Sequence, residues 1–161
     1  MITQDRVKEL FEYHEDGYLI WKIKPAPQIN AGTKAGTQRP DGYYTVGIDY
    51  KHYKIHRVIF LWHHGWLPTD VDHNDGDPSN NKIGNLKATT RAQNCANRGL
   101  RRNNKSGFKG VHQRKENGRW RAAIRVGEKQ INLGHFDTPE EGHAKYCEAG
   151  RYFYGEFFNP G

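Results

Sequence analysis

Residues 119–126, RWRAAIRV, alternate without a break between cationic and apolar side chains. Side chains point to opposite faces along a strand, so Arg119, Arg121, Ala123 and Arg125 share one face and Trp120, Ala122, Ile124 and Val126 the other. QINL (130–133) repeats the pattern, with Gln130 and Asn132 opposite Ile131 and Leu133, and KGVHQR (109–114) reads as the first strand of the set. A sheet with one apolar face needs a cover. Thr138-Pro139-Glu140-Glu141 starts a helix, with Thr and Glu spaced as a capping box and Pro in the first turn. Gly142, Tyr146, Ala149 and Phe153 then recur at helical spacing, a stripe of small and aromatic residues suited to lie on that sheet. The C-terminal part is therefore expected to be α+β: a three-stranded antiparallel sheet packed on one helix, with a basic outer face.

Charge divides the chain in the same place. The sequence has 161 residues, with 25 Lys or Arg against 18 Asp or Glu. Residues 1–100 hold 13 of these basic residues and 11 acids, whereas 101–136 hold ten against two and 137–161 two against five. The excess favours a polyanionic partner. A membrane is the weaker option, because no run approaches the roughly 20 apolar residues of a span, and MITQDRVKELFEYHEDG has acids where a signal peptide would have an apolar core. Two cysteines, Cys95 and Cys147, are too few for a disulfide scaffold or a four-cysteine zinc ribbon and fit a reducing cytoplasm. GLRRNNKSG (99–107) has linker character. The expected domains are 1–100, a basic linker at 101–107, and 108–161.

Within the first part, residues 5–13 read as a short helix with Val7, Leu10 and Phe11 on one face. GYLIWKIK, the segment around YYTVGID and KHYKIHR read as strands. IHRVIFLWHHG (55–65) reads as a buried helix stopped by Gly65 and Pro68, and Thr89 or Thr90 caps a helix running to about Arg98. His52, His56, His63 and His64 raise a zinc site, but paired ligands at the required geometry are not evident.

VDHNDGDPSNNKIGN (71–85) is the chemically dense stretch. An EF-hand loop starting at Asp70 would place Asp75 where Gly is required and Asn81 where Glu is required; starting at Asp72 puts Gly76 at a ligand position, so calcium fails. A polar turn accounts for Asn74 to Asn81. It does not account for Asp72-His73 closing a strand, followed by Asn85 and by Asn94 on a helix. Phosphodiester hydrolysis needs a base for water, a hard cation and a rigid frame, and these residue types can supply them. Consecutive strand residues face opposite ways, so the strand must twist or end if Asp72 and His73 serve one site.

Asp72-His73, Asn85 and Asn94 resemble the HNH, or ββα-metal, nuclease motif, and the text from about Tyr18 to Asn97 resembles phage and intron-encoded HNH homing endonucleases. The resemblance implies His73 as general base, Asp72 and Asn94 as ligands of one divalent cation, Mg²⁺ or Mn²⁺, and Asn85 as a brace bonded to the loop backbone. Asn94 stands where the motif's name has His, as in many phage members. Residues 106–159 resemble an AP2 domain through GV-Q-R, W-A-I, LG-FDT-EEG-AKY and the closing Phe-Asn. That family lays a three-stranded sheet in the major groove, which implies Lys109, His112, Arg114, Arg121, Arg125 and Gln130 as DNA contacts. Asn132 replaces a Trp common in plant members, so their sequence preference does not transfer.

The reading is a monomeric, metal-dependent endonuclease of homing type acting on double-stranded DNA in the cytoplasm of a bacterial host. The alternatives are a non-catalytic DNA-binding regulator on a degenerate HNH scaffold, and a restriction- or packaging-type phage nuclease.

Overall fold

The computed structural model describes residues 2–161. It divides into two compact units, Met1–Thr89 and Thr90–Gly161.

The first unit opens with helix α1, Gln4–Leu10, whose N-terminus is capped by Thr3 Oγ1 accepting from the Arg6 amide. The helix expected over 5–13 stops early. Phe11 turns extended (φ −132°, ψ 147°) and begins β1, Phe11–His14, which pairs antiparallel with β2, Tyr18–Trp21. Leaving the helix there lets Phe11 sit opposite Trp21 with ring centroids 4.4 Å apart. A second antiparallel sheet contains β3 (Thr37–Gln38), β4 (Tyr44–Ile48) and β5 (Lys51–Lys54). Helix α2, Ile55–His64, follows β5 directly and ends at Gly65, whose φ of 76° lets its N–H reach the Leu61 carbonyl. Its buried Ile55, Val58 and Ile59 join Val7, Leu10, Phe11 and Leu19 in the core. The unit closes with the antiparallel pair β6, Asp70–His73, and β7, Leu86–Thr89, in which His73 faces Leu86 and Asp72 faces Lys87. Val71 and Leu86 anchor this pair in the core.

The second unit begins with helix α3, Arg91–Asn97, held by a full capping box between Thr90 and Gln93. Strands β8 (Val111–Gln113), β9 (Trp120–Val126) and β10 (Lys129–Phe136) form an antiparallel sheet with β9 in the middle. Helix α4, Pro139–Tyr154, carries the expected Thr138–Glu141 capping box and packs on all three strands. Gly142, Tyr146, Cys147 and Gly150 are its buried residues. Gly110 (φ 76°) lies so close beneath the Tyr146 ring that a Cβ there would come within 2.1 Å of it.

The apolar stripe of α4 differs from expectation at its end. Phe153 does not finish the apolar stripe; it is 41% exposed. Phe158 takes that place, its ring lying against Gly150 and 5.5 Å from the Tyr146 ring, because the turn Gly155–Phe157 folds the chain end back. The compact units divide between Thr89 and Thr90, and α3 packs on α4 and on Gly155–Phe157. Within 101–107, Ser106 Oγ lies 2.8 Å from both the Val111 and the Phe108 carbonyl oxygens, and Asn104 Nδ2 donates to the Phe108 carbonyl at 3.0 Å.

Candidate active site

The loop between β6 and β7 is closed by its own side chains. Asn85 Oδ1 accepts the Asp75 amide at 3.2 Å, while its Nδ2 donates to the Asn80 carbonyl at 2.8 Å and to Asp75 Oδ1 at 2.9 Å. The Asn85 carbonyl accepts the Asn74 amide. Asp75 also accepts from Asn80 Nδ2 (2.7 Å) and from the Asp77 amide (2.9 Å). Partial burial alone would raise the Asp75 pKa, but these hydrogen bonds, led by that from Asn85, outweigh it and hold the carboxyl below its ordinary range. The first two strands buttress the loop from outside. Tyr13 Oη accepts the Ile83 amide at 3.1 Å, and Gly17 (φ 85°) passes so near that a Cβ would lie 2.5 Å from the Lys82 nitrogen.

His73 ends β6 and is only 3% exposed. Its Nε2 lies 2.9 Å from Oδ1 of Asn81, itself buried. Asn81 Nδ2 donates to the Ser79 carbonyl at 3.3 Å, which orients the amide so that its oxygen faces the imidazole. The neutral ring then carries its proton on Nε2 and its lone pair on Nδ1. Asp72 is half-buried; β6 ends at the next residue, His73, whose amide donates to Asp72 Oδ1 at 3.0 Å.

Two residues the sequence did not single out for this site flank the ring. His56, from α2, has its ring centroid 4.9 Å from that of His73, and Tyr43 lies 5.4 Å from His56 and 6.0 Å from His73. His56 Nδ1 is buried and has no hydrogen-bond partner among the described residues. Burial, then the charges of His73, Lys54 and Arg57, push the His56 pKa down to about 3, so the ring is neutral. Of the other histidines raised for zinc, His63 contacts Tyr13 and Trp62 and His64 contacts Phe60, while His52 is exposed on β5. No group of three or more His, Cys, Asp or Glu side chains is gathered as a metal site among the described residues.

Of the sequence-derived set, Asp72, His73 and Asn85 lie on one hairpin and its loop. Asn94 is on α3, half-buried, with its amide bonded to the Thr90 carbonyl, and belongs to the second unit.

The second unit presents the basic face. Arg121 pairs across the strands with His112 on one side and His135 on the other, and Arg125 pairs with Gln130. His112, Arg125 and Gln130 are exposed. Arg121 Nε donates to Asn132 Oδ1 at 3.3 Å, and Arg114 lies 3.2 Å from His135 Nε2 while pairing with Glu116. His112, Arg114, Arg121, Asn132 and His135 line an open hollow of about 470 Å³. Lys109 does not belong to this set. Its Nζ donates to the carbonyls of Ala96 (2.7 Å), Arg98 (2.6 Å) and Asn159 (2.6 Å), which engages all three N–H groups. Burial pushes its pKa down to about 8.

The sequence model of the HNH endonuclease family matches residues 53–96, the stretch that holds His56, Asp72, His73, Asn85 and Asn94. Protein 3.8 of Escherichia phage T7 is 33% identical over 88 residues, covering 52% of this chain and 73% of that protein. No solved structure matches. The chain thus belongs to the same family as this phage protein and carries, within residues 53–96, an HNH endonuclease segment.

Proposed function

We propose that the protein is a metal-dependent DNA endonuclease of homing type, with His73 as general base and the basic face of the AP2-like C-terminal sheet as its DNA-docking surface. The observation that carries the reading is the Asn81–His73 contact inside an HNH segment whose loop is braced by Asn85. An amide oxygen on Nε2 sets the tautomer in which Nδ1 is the basic nitrogen. Nδ1 takes a proton from water, the water oxygen attacks phosphorus in line, the P–O bond to the 3′ oxygen breaks, and that oxygen takes up a proton from solvent. The products carry 5′-phosphate and 3′-hydroxyl ends. Asp72 would offer a carboxylate oxygen and Asn94 an amide oxygen, hard donors of the kind that would suit Mg²⁺ or Mn²⁺. When bound, such a cation supplies charge stabilisation for the phosphorane-like transition state and the departing oxygen.

The burial of His73 favours one other reading, a DNA-binding scaffold without chemistry. Plasmid nicking with Mg²⁺ or Mn²⁺, and in chelator, separates the two. The nuclease cuts only with metal. Both His73→Ala and the bulkier His73→Gln lower the rate by at least about 100-fold, with DNA affinity within twofold of wild type. Undiminished cutting by a folded His73→Gln protein, or cutting in chelator, refutes the mechanism. No cutting by wild type under any metal leaves the scaffold reading in its place.

A further inference from the structure

Asp49 and Tyr50 are the only non-glycine residues with positive φ among the described residues, at 48° and 62°. They form the whole connection between β4 and β5, because Ile48 pairs with Lys51. A two-residue hairpin turn with both centres at positive φ is the conformation for which Asn-Gly is the favoured sequence. A bulky tyrosine there is a backbone outlier, held against its own preference. The ring gains nothing from the fold in exchange: Tyr50 is fully exposed. The strain is maintained from the other side of the turn. Arg6 of α1 donates to Asp49 from Nη2 at 2.8 Å and from Nε at 3.2 Å, and also bonds Glu9.

We infer that the β4–β5 hairpin is a second DNA-contacting element, in the first unit, and that Tyr50 is its tip, an aromatic ring that stacks on a base. This rests on the reading of the protein as a DNA nuclease. A two-stranded antiparallel ribbon fits the major groove, and a ring at its end that wedges between base steps meets a π-face, which every base has. The flanking charges fit that partner. Lys51, His52 and Lys54 on β5 are exposed, and the one carboxylate at the turn, Asp49, is neutralised by Arg6. A single ring among cations is neither an apolar patch for protein docking nor a surface that welcomes a second copy of itself.

The test sets stability against binding. Full-length protein in a His73→Gln background is titrated with a fluorescein-labelled random-sequence duplex pool, and its thermal unfolding is followed in parallel. Tyr50→Gly and Tyr50→Asn relieve the backbone, so they unfold at the same or a higher temperature than the parent. They should nonetheless bind DNA more weakly, by about tenfold within the roughly 5- to 150-fold range of a lost base stack. Tyr50→Phe keeps the ring and should bind within twofold. Unchanged affinity in Tyr50→Gly, or an equal loss in Tyr50→Phe, overturns the stacking role, as does loss of self-association in place of DNA affinity. A parent that binds no duplex overturns both this inference and the nuclease reading, whereas tight binding by every variant overturns this inference alone.

Discussion

The His56 ring is neutral at pH 7 and remains so well into acid, because burial and then the charges of His73, Lys54 and Arg57 disfavour its protonated form. In the unfolded chain the same imidazole titrates near 6.5. Between about pH 6.5 and 3 the unfolded state therefore binds a proton that the folded state does not. The stability that His56 contributes is complete above pH 6.5 and is lost as the pH falls through that window. At pH 4.5 the loss amounts to roughly 2–3 kcal/mol. Urea unfolding of wild type and His56→Phe at pH 7.5 and 4.5, read by tryptophan fluorescence, should show a smaller acid loss in the variant by that amount. Equal losses would mean that other groups govern the acid limb. The sequence carried little sign of this pair: His56 and His73 come from different elements, and nothing local says that the α2 histidine packs against the one that ends β6. The role of Asn85 as a loop brace was legible through the motif resemblance. That of Asn81 was not, since in a run of asparagines only the folded loop shows which amide meets the imidazole.

At the scale of elements, the alternation of residues 119–126 placed β9 correctly and holds along β10 as far as Leu133, but it does not continue beyond. The register shifts between Asn132 and Gly134, and Gly134 adopts a φ of 126°. One extra residue moves every later side chain to the other face. His135, which strict alternation would turn toward the helix, instead pairs with Arg121 on the basic side. Lys109 shows the opposite case, a cation that motif matching assigns to DNA and the fold turns into a clamp. With a pKa near 8 it is mostly protonated at pH 7, and it joins the end of α3 to the chain terminus through Ala96, Arg98 and Asn159. Lys109→Met keeps the stem and removes the donors, so it should destabilise the second unit by about 1–3 kcal/mol. The slope of DNA affinity against salt should stay unchanged. A slope lower by about one unit with stability intact would identify Lys109 as a phosphate contact instead.

For the whole molecule, charge and packing mark different borders. The jump in basic residues near position 100 reflects a surface, whereas the compact units divide between Thr89 and Thr90. The consequence for dissection is specific. A chain ending at residue 100 keeps α3 but removes Lys109, the Asn159 amide that bonds the Ala96 carbonyl, and α4. A helix of seven residues does not persist alone. The truncated chain should therefore lose cleavage altogether, because Asn94 loses its frame, and its circular dichroism should lack α3. A fragment of residues 90–161 should bind duplex DNA with a steep salt dependence and should not cut it. Cleavage by the 1–100 chain at more than a tenth of the full-length rate would show that α3 needs nothing beyond residue 100. The loop closed by Asn85 has a different reach. Because Asp75, Asn80 and Asn85 already fix one another, most of the conformational entropy of this segment is lost when the chain folds. If the proposed function holds, a phosphodiester arriving beside His73 meets a frame that does not have to be ordered again at each encounter, and the binding free energy remains available to act on the substrate.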